Sequence, residues 1–286
     1  MNPRSATSSP PIVLTFAASD PSGGAGMQAD LMTLSALGCH PLSVMTALTV
    51  QDTVGVTSVL AVDADCVEDQ ARTLLGDMPV AAFKTGLLGS IENIAVIAGI
   101  VADYPALPLI VDPVLASGRG DELADDEMIA GLRALLLPVA TILTPNSLEA
   151  RRLVHRSGGI DEGDDERQCS LADCAQRLLD LGCRNVLLTG THADTERVIN
   201  TLYRQGVGLV RSDAWERLPG SYHGSGCTLA SAIAAKLACA LAVEDAVAAA
   251  QDYTWRALAA GFRPGMGQFI PDRFFASRRR RALLDD

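Results

Sequence analysis

PIVLTFAASDPSGGAGMQADLMTLSALG (11–38) is the stretch on which the fold turns. Its first nine residues, PIVLTFAAS (11–19), are apolar and partly β-branched, the composition of a buried strand. DPSGGAG (20–26) follows, a loop in which successive glycines free the backbone to turn tightly or to lie against a ligand. MQADLMTLSALG (27–38) then sets Met27, Leu31, Leu34 and Leu37 or Ala36 at helical spacing and stops at Gly38. A strand that passes through a glycine loop into a helix is the opening unit of an α/β domain.

The same alternation continues outward from it. Strands are expected around 42–50 and 55–62, and these two, with polar Thr and Gln between them, are candidates for a small β-flap. A capped helix is expected over 63–77, a strand over 80–86, and a helix over 91–104 with Ser90 as its N-cap. A short β run at 108–115 ends near Pro113, and the helix 125–138 has acidic residues in its first turn, favourable against the helix dipole. The strand 140–146 leads into the helix 147–156. SGGIDEGDDERQ (157–168) reads as a solvated mobile loop. A helix over 170–182, a strand over 185–190 and a hairpin within 197–212 follow, and the chain is expected to be helical from Gly224 to about Ala260. The pattern is that of a doubly wound α/β domain, a mostly parallel central sheet between helical layers, with its site beyond the strand C-termini. One domain over 12–270 is expected, between a flexible N-terminus (1–11) and a charged C-terminal tail (271–286).

Composition narrows the function. The 286 residues carry 23 Lys+Arg against 34 Asp+Glu, a formal net charge of −11, which disfavours nucleic acid and anionic membrane as partners. Only Lys84 and Lys236 are lysines, so a phosphate-handling site would need positive potential from another source. The seven cysteines show no CxxC spacing and no zinc set, and MNPRSATSSPP (1–11) has no apolar signal core behind it. The most apolar stretch, 229–250, is interrupted by Lys236, Glu244 and Asp245. A cytoplasmic enzyme with reduced thiols is expected.

Three segments carry candidate chemistry, and neither GxxxxGK[ST] nor GxGxxG is present. HGSGCTL (223–229) precedes a long Ala-rich helix. There the backbone N–H groups of Gly224, Ser225 and Gly226 and about half a positive charge from the helix N-terminus make an anion hole without a lysine. Cys227 at that helix start is expected to have a lowered thiol pKa; a small cysteine packed at a helix start is the plainer reading. In SDPSGGAGMQAD (19–30), Asp30 is placed to accept a hydrogen bond from a ligand or to be an ordinary first-turn carboxylate. Gln51 ends the apolar run TALTVQDT (46–53) in the same way, as a ligand contact or a satisfied turn residue. Asn146 and Glu149, three apart at a helix start, suit a hydrated Mg²⁺ on phosphate oxygens, or simply a capping box. Asp112 offers a further carboxylate at the same sheet edge.

Together SDPSGGAGMQAD (19–30), TALTVQDT (46–53), KTGLL (84–88), DPVL (112–115), TPNSLEA (144–150), GTH (190–192) and HGSGCTLASAIA (223–234) resemble the ribokinase-like superfamily. Within it they are most similar to the hydroxymethylpyrimidine/phosphomethylpyrimidine kinases of thiamine synthesis. The resemblance covers roughly residues 12 to 262. It implies a ribokinase-like three-layer α/β/α domain that transfers the γ-phosphate of ATP, with Mg²⁺, to the pyrimidine's hydroxymethyl group and then to the monophosphate, and a homodimer. By position it implies pyrimidine contacts at Ala18, Asp30, Gln51, Leu87 and Val114, and ATP or phosphate contacts at Asp112, Asn146, Glu149, Thr189 and His223. Mg²⁺ would be held through Asn146 and Glu149. Gly224, Ser225, Gly226 and Cys227 would be catalytic, with the Cys227 thiolate orienting or deprotonating the hydroxyl.

The sequence departs from the family pattern at three places. Ala18 stands in a loop that usually begins with glycine, Leu87 where methionine is frequent, and Thr189 where a lysine commonly precedes the GGH element; His192 is retained. Three other functions remain open at this level: a pyridoxal or pyridoxine kinase of the same superfamily, a His223–Cys227 hydrolase, and a non-catalytic pyrimidine sensor.

Overall fold

In this computed structural model the described residues are 9–117, 120–155, 169–191 and 195–278. The expected loop 157–168, His192 and the tail from residue 279 onward lie outside them.

The opening stretch forms β1 (Ile12–Ser19) and α1 (Gly26–Ala36). Next come β2 (His40–Gln51), β3 (Val56–Ala61), α2 (Ala64–Asp77), β4 (Val80–Thr85), α3 (Ile91–Ala102) and β5 (Leu109–Val111). Asp63 caps α2 and Ser90 caps α3, each side chain accepting a backbone N–H of the first turn. Then follow α4 (Asp126–Gly131), β6 (Ile142–Leu143), α5 (Ser147–Val154), α6 (Leu171–Asp180), β7 (Asn185–Leu188), β8 (Arg197–Arg204), β9 (Gly208–Glu216), α7 (Ser225–Ala238) and α8 (Val243–Ala259).

One nine-stranded sheet, ordered β3-β2-β1-β4-β5-β6-β7-β8-β9, runs through the molecule. From β2 to β7 neighbouring strands are parallel. β3, β8 and β9 are added antiparallel at the two ends. The alternation along β1 shows how the layers form: Leu14 and Phe16 point into a core with residues of α2 to α6, and Val13 into a second core with α1, α7 and α8. This is the three-layer arrangement expected from sequence. The two strands near 42–62 stay in the main sheet. β2 pairs with β1 from His40 to Leu48 and with β3 from Ala47 to Gln51, so its far end, with Thr49 and Gln51, extends past the end of β1 and lines the cleft.

Besides shifts at the ends of strands, three boundaries differ from expectation. The helix 125–138 shortens to α4, followed by a π turn (132–136) and a 3₁₀ turn (137–139), where Pro138 has no N–H to continue the ladder. The run 224–260 is two helices, because Ala240 takes φ +61° and closes α7 with Leu241 N–H on the Lys236 carbonyl and Ala240 N–H on that of Leu237. The tail begins later than residue 271, since Pro271, Asp272 and Arg273 are buried.

Ala240 occupies the left-handed position that glycine fills without strain, and it is exposed. Ala240→Gly is therefore expected to stabilise the protein by about 1 kcal/mol, read as a higher urea midpoint at unchanged slope.

Candidate functional site

β1 delivers the chain to Asp20, whose carboxylate organises the glycine loop. It accepts the backbone N–H of Ser22 (2.8 Å) and of Ala25 (2.6 Å), and Nε2 of His223 lies 2.8 Å away. Burial works against ionisation of Asp20, but these hydrogen bonds together with Gln51 hold its carboxyl well below the usual range. α1 starts at Gly26 with φ +57°, where a Cβ would press on the Ala18 carbonyl oxygen at 2.5 Å.

Beneath the loop lies a fully buried polar cluster. Lys84 Nζ, at the end of β4, sits 2.9 and 2.8 Å from the two carboxylate oxygens of Asp30 on α1. The Thr15 hydroxyl of β1 and the Ser231 hydroxyl of α7 donate to the same carboxylate at 2.8 and 2.7 Å. Burial opposes the ammonium charge, yet Asp30, with help from Asp112, raises the Lys84 pKa above its ordinary value. This corrects the pyrimidine contact expected of Asp30. Its side chain has no exposure, its oxygens are filled by protein donors, and it does not line the cleft.

The strands β5 and β6 end in the next groups. Asp112 is 5% exposed; its Oδ2 has no hydrogen-bond partner and stands 4.0 Å from Lys84 Nζ. Burial, only partly offset by Lys84, raises its pKa to about 6. Asn146 and Glu149 form the capping box of α5: Asn146 Oδ1 accepts the N–H of Leu148 and Glu149, and Glu149 Oε2 accepts that of Asn146. The Asn146 oxygen is thus committed to the helix start, and its amide N–H₂ is what it can offer a phosphate. Glu149 is pushed up to about 8, by burial first and then by the charge of Asp112.

α7 closes the site. Gly224 is its N-cap at φ +81°, and a Cβ there would collide with the Gly24 carbonyl, so the GSGC turn and the glycine loop touch only because both positions are glycine. Cys227 corrects the second expectation. Burial, then the negative charge of Asp112, pushes its thiol up to about 12, against the opposing pull of Lys84. The helix start does not yield a resting thiolate, because burial and the neighbouring Asp112 charge outweigh it.

Apart from Asp30, Thr15 and Ser231 beneath it, these groups line one cleft of about 910 Å³. Ala18, Gln51, Leu87, Val114, Asp112, Asn146, Glu149, Thr189 and His223 line it, together with Gly224, Ser225, Gly226 and Cys227. A further part of its wall was not expected from sequence. It contains Trp215 and Trp255, which stack with ring centroids 6.3 Å apart, and Leu258 and Thr254. Gln251, 2% exposed, accepts Trp215 Nε1–H and Asn200 Nδ2–H and donates to Asp213. Thr254 Oγ1 is buried without a partner. The chain's two tryptophans, 40 residues apart, were the available signal, but nothing in their spacing said that they meet.

The donor set between Asp112 and Glu149 suits Mg²⁺. The buried Asp112, with an unpartnered oxygen, and the half-buried Glu149 lie within electrostatic reach of one another, and Mg²⁺ takes one or two carboxylates with phosphate and water oxygens. Among the described residues there is no cluster of three His, Cys, Asp or Glu that would hold a metal unaided.

A family model described as phosphomethylpyrimidine kinase matches residues 20–272. A hydroxymethylpyrimidine/phosphomethylpyrimidine kinase of Streptomyces coelicolor is 40% identical over 262 residues, covering 90% of this chain and 92% of that protein. A thiamine biosynthesis bifunctional protein of Geobacter sulfurreducens is also 40% identical over 246 residues; the match covers 86% of this chain and spans about half (49%) of that protein. Among solved structures, the pyridoxal kinase of Staphylococcus aureus in complex with AMP-PCP and pyridoxal superposes with a TM-score of 0.79 at 28% identity, over 94% of this chain and 95% of that one.

Glu149 gives the cleft a pH signature. Unfolded, its carboxyl titrates near 4.5; folded, near 8, so between these values the native state keeps a proton that the unfolded chain has released. Its contribution to stability therefore falls as pH rises from about 4.5 to about 8. Glu149→Gln is expected to gain stability relative to the parent between pH 5 and pH 8.5, measured by urea unfolding without nucleotide or Mg²⁺. A difference independent of pH would contradict the burial of this carboxyl.

Proposed function

Since the chain belongs to the phosphomethylpyrimidine kinase family, we propose that this phosphotransferase of thiamine biosynthesis moves the γ-phosphoryl of ATP onto the hydroxymethyl oxygen of 4-amino-5-hydroxymethyl-2-methylpyrimidine, and then phosphorylates the monophosphate. The observation that carries this reading is the meeting, in one cleft, of the α7 N-terminus with Asp112 Oδ2, a buried carboxylate oxygen without a hydrogen-bond partner. An array of backbone donors beside an uncompensated carboxylate is chemistry for a phosphate–metal pair.

The pyrimidine lies, in this reading, over Ala18, Leu87 and Val114, with Gln51 offering its amide to the ring's polar edge. The nucleotide base takes the Trp215/Trp255 wall, where the unpartnered Thr254 hydroxyl is available to it. The phosphate chain then runs toward Gly224–Cys227 past Thr189 and the Asn146 amide. The AMP-PCP and pyridoxal complex of the Staphylococcus aureus kinase supports a nucleotide and a hydroxymethyl heterocycle as the two substrates. Mg²⁺ would be held by Asp112 and Glu149, partly through water, and would neutralise charge on the phosphate oxygens.

The residues act mainly by position and charge. The backbone N–H groups of 224–227 are fixed before substrate arrives, so they stabilise the transferring phosphoryl group without reorganising. The Cys227 sulfur accepts the substrate hydroxyl while its own proton points to Asp112. As the oxygen attacks the γ-phosphorus, the hydroxyl proton passes to sulfur and the thiol proton to Asp112; ADP leaves, and Asp112 returns the proton to solvent. The Asp112 carboxylate takes the proton only at the end of the transfer, whereas a thiol pushed up to about 12 is not a standing base. In a loose transition state this late transfer is sufficient.

Pyridoxal is the rival substrate, because solved pyridoxal kinases superpose with TM-scores of 0.79 to 0.81. Coupled ADP release with each heterocycle, with and without Mg²⁺, separates the two. kcat/KM is expected to favour the pyrimidine and to require Mg²⁺, and a preference for pyridoxal would overturn the assignment. Cys227→Ser is expected to lower kcat about 100-fold while the pyrimidine KM moves by no more than a few-fold. Unchanged turnover would remove Cys227 from the mechanism.

A further inference from the structure

Arg273 stands in the segment that the sequence reads as solvated tail, yet it is 3% exposed. α8 holds this segment in place: Tyr253 Oη donates to the Arg273 carbonyl at 2.7 Å, and the N–H of Asp272 donates to the Ala257 carbonyl at 2.9 Å. From there the guanidinium reaches the glycine loop and the first turn of α7. Nη2 donates to the Gly24 carbonyl (2.5 Å), Nη1 to the Gly23 carbonyl (3.3 Å) and Nε to Thr228 Oγ1 (3.1 Å). Thr228 in turn donates its hydroxyl to the Gly224 carbonyl at 2.7 Å. One side chain thus ties the glycine loop to the first turn of α7, across the contact between Gly24 and Gly224.

Every acceptor of this guanidinium is a neutral oxygen. Arg273 has no carboxylate within ion-pair distance among the described residues; of the acids in its field, Asp30 is bonded to Lys84 and Asp20 to His223. A buried cation without an anion is costly, and such charges are ordinarily paired or ligand-bound. The space in front of it is the GSGC turn, where an anion is expected to bind, and the chain has no lysine at Thr189 to supply positive charge there.

We propose that Arg273 is the positioning residue of the anion hole. It clamps the glycine loop against α7, fixes the direction of the 224–227 N–H groups and places a permanent positive charge behind the transferred phosphoryl group. This rests on the phosphoryl-transfer reading above. Arg273 does not touch the substrates; it acts through Gly23, Gly24 and Thr228.

The test compares R273K, R273Q and R273M in the full chain. It measures kcat, both KM values and thermal midpoints, and the calorimetric dissociation constants of ADP and of AMP-PCP. R273M and R273Q are expected to lose about 100-fold in kcat with the pyrimidine KM within about threefold, while R273K, which keeps the charge but not the fork, stays within about tenfold of the parent. The neutral variants should also weaken AMP-PCP more than ADP, because only the former carries a third phosphorus. Losses that follow the thermal midpoint equally in all three variants, or R273Q as active as R273K, would overturn the proposal. If R273M does not fold, the comparison of R273K with R273Q decides. A parent enzyme inactive on the pyrimidine would refute the functional reading, and the AMP-PCP to ADP ratio would then judge Arg273 independently.

Discussion

The buried contact between Lys84 and Asp30 is the constraint on which the site's geometry depends. It joins the end of β4 to α1, and through the Thr15 and Ser231 hydroxyls it also binds β1 and α7. All four elements contribute walls or floor to the cleft. An ion pair with no exposure holds only while its geometry is good, since either charge alone would cost several kcal/mol to bury. It therefore fixes how far α1 and α7 stand from the strand ends. It also sets the electrostatics above it: Lys84 is shared, at 4.0 Å, with Asp112, and the balance between that cation and burial leaves Asp112 near 6 and the Cys227 thiol near 12.

Above this pair the site is built by close backbone approach. Gly24 and Gly224 meet with no room for a side chain, which seats the 224–227 turn, with its backbone N–H groups, against a glycine loop whose own amides are taken up by Asp20 and Ser22. Backbone dipoles at such a turn bind anions without a fixed cation in contact, which fits a phosphate-handling cleft in a chain with two lysines and a net charge of −11. Fixed cations are set behind the turn and not in it. Lys84 lies under α1, and Arg273 lies under the turn itself.

Most of the fold was legible because period and punctuation coincide: apolar runs, helical spacing and caps at Asp63, Ser90 and Asn146 all agree with the observed elements. The misreadings share one cause. Asp30 looked like a ligand contact and Cys227 like a thiolate because local sequence reports the element on which a residue sits, not the charges brought to it from elsewhere. Lys84, 54 residues from Asp30, fills that carboxylate. Burial and Asp112, 115 residues from Cys227, outweigh a helix N-terminus. Arg273 was passed over for the converse reason, since a charged residue near a charged end gives no sign that α8 will fold it inward.

The sequence by itself determined the alternation of strand and helix, the glycine loops at 20–26 and 224–226, the kinase resemblance and many of the residues that line the cleft. Those features are local, written in periodicity and residue type over a dozen positions. Only the tertiary structure decided protonation, pairing and the tryptophan wall of the cleft: which carboxylate is satisfied, which keeps a free oxygen, and that Trp215 and Trp255 stack. These depend on distances between segments far apart in the chain and on how much water packing excludes, and Coulomb and desolvation energies are set by that geometry and not by sequence spacing.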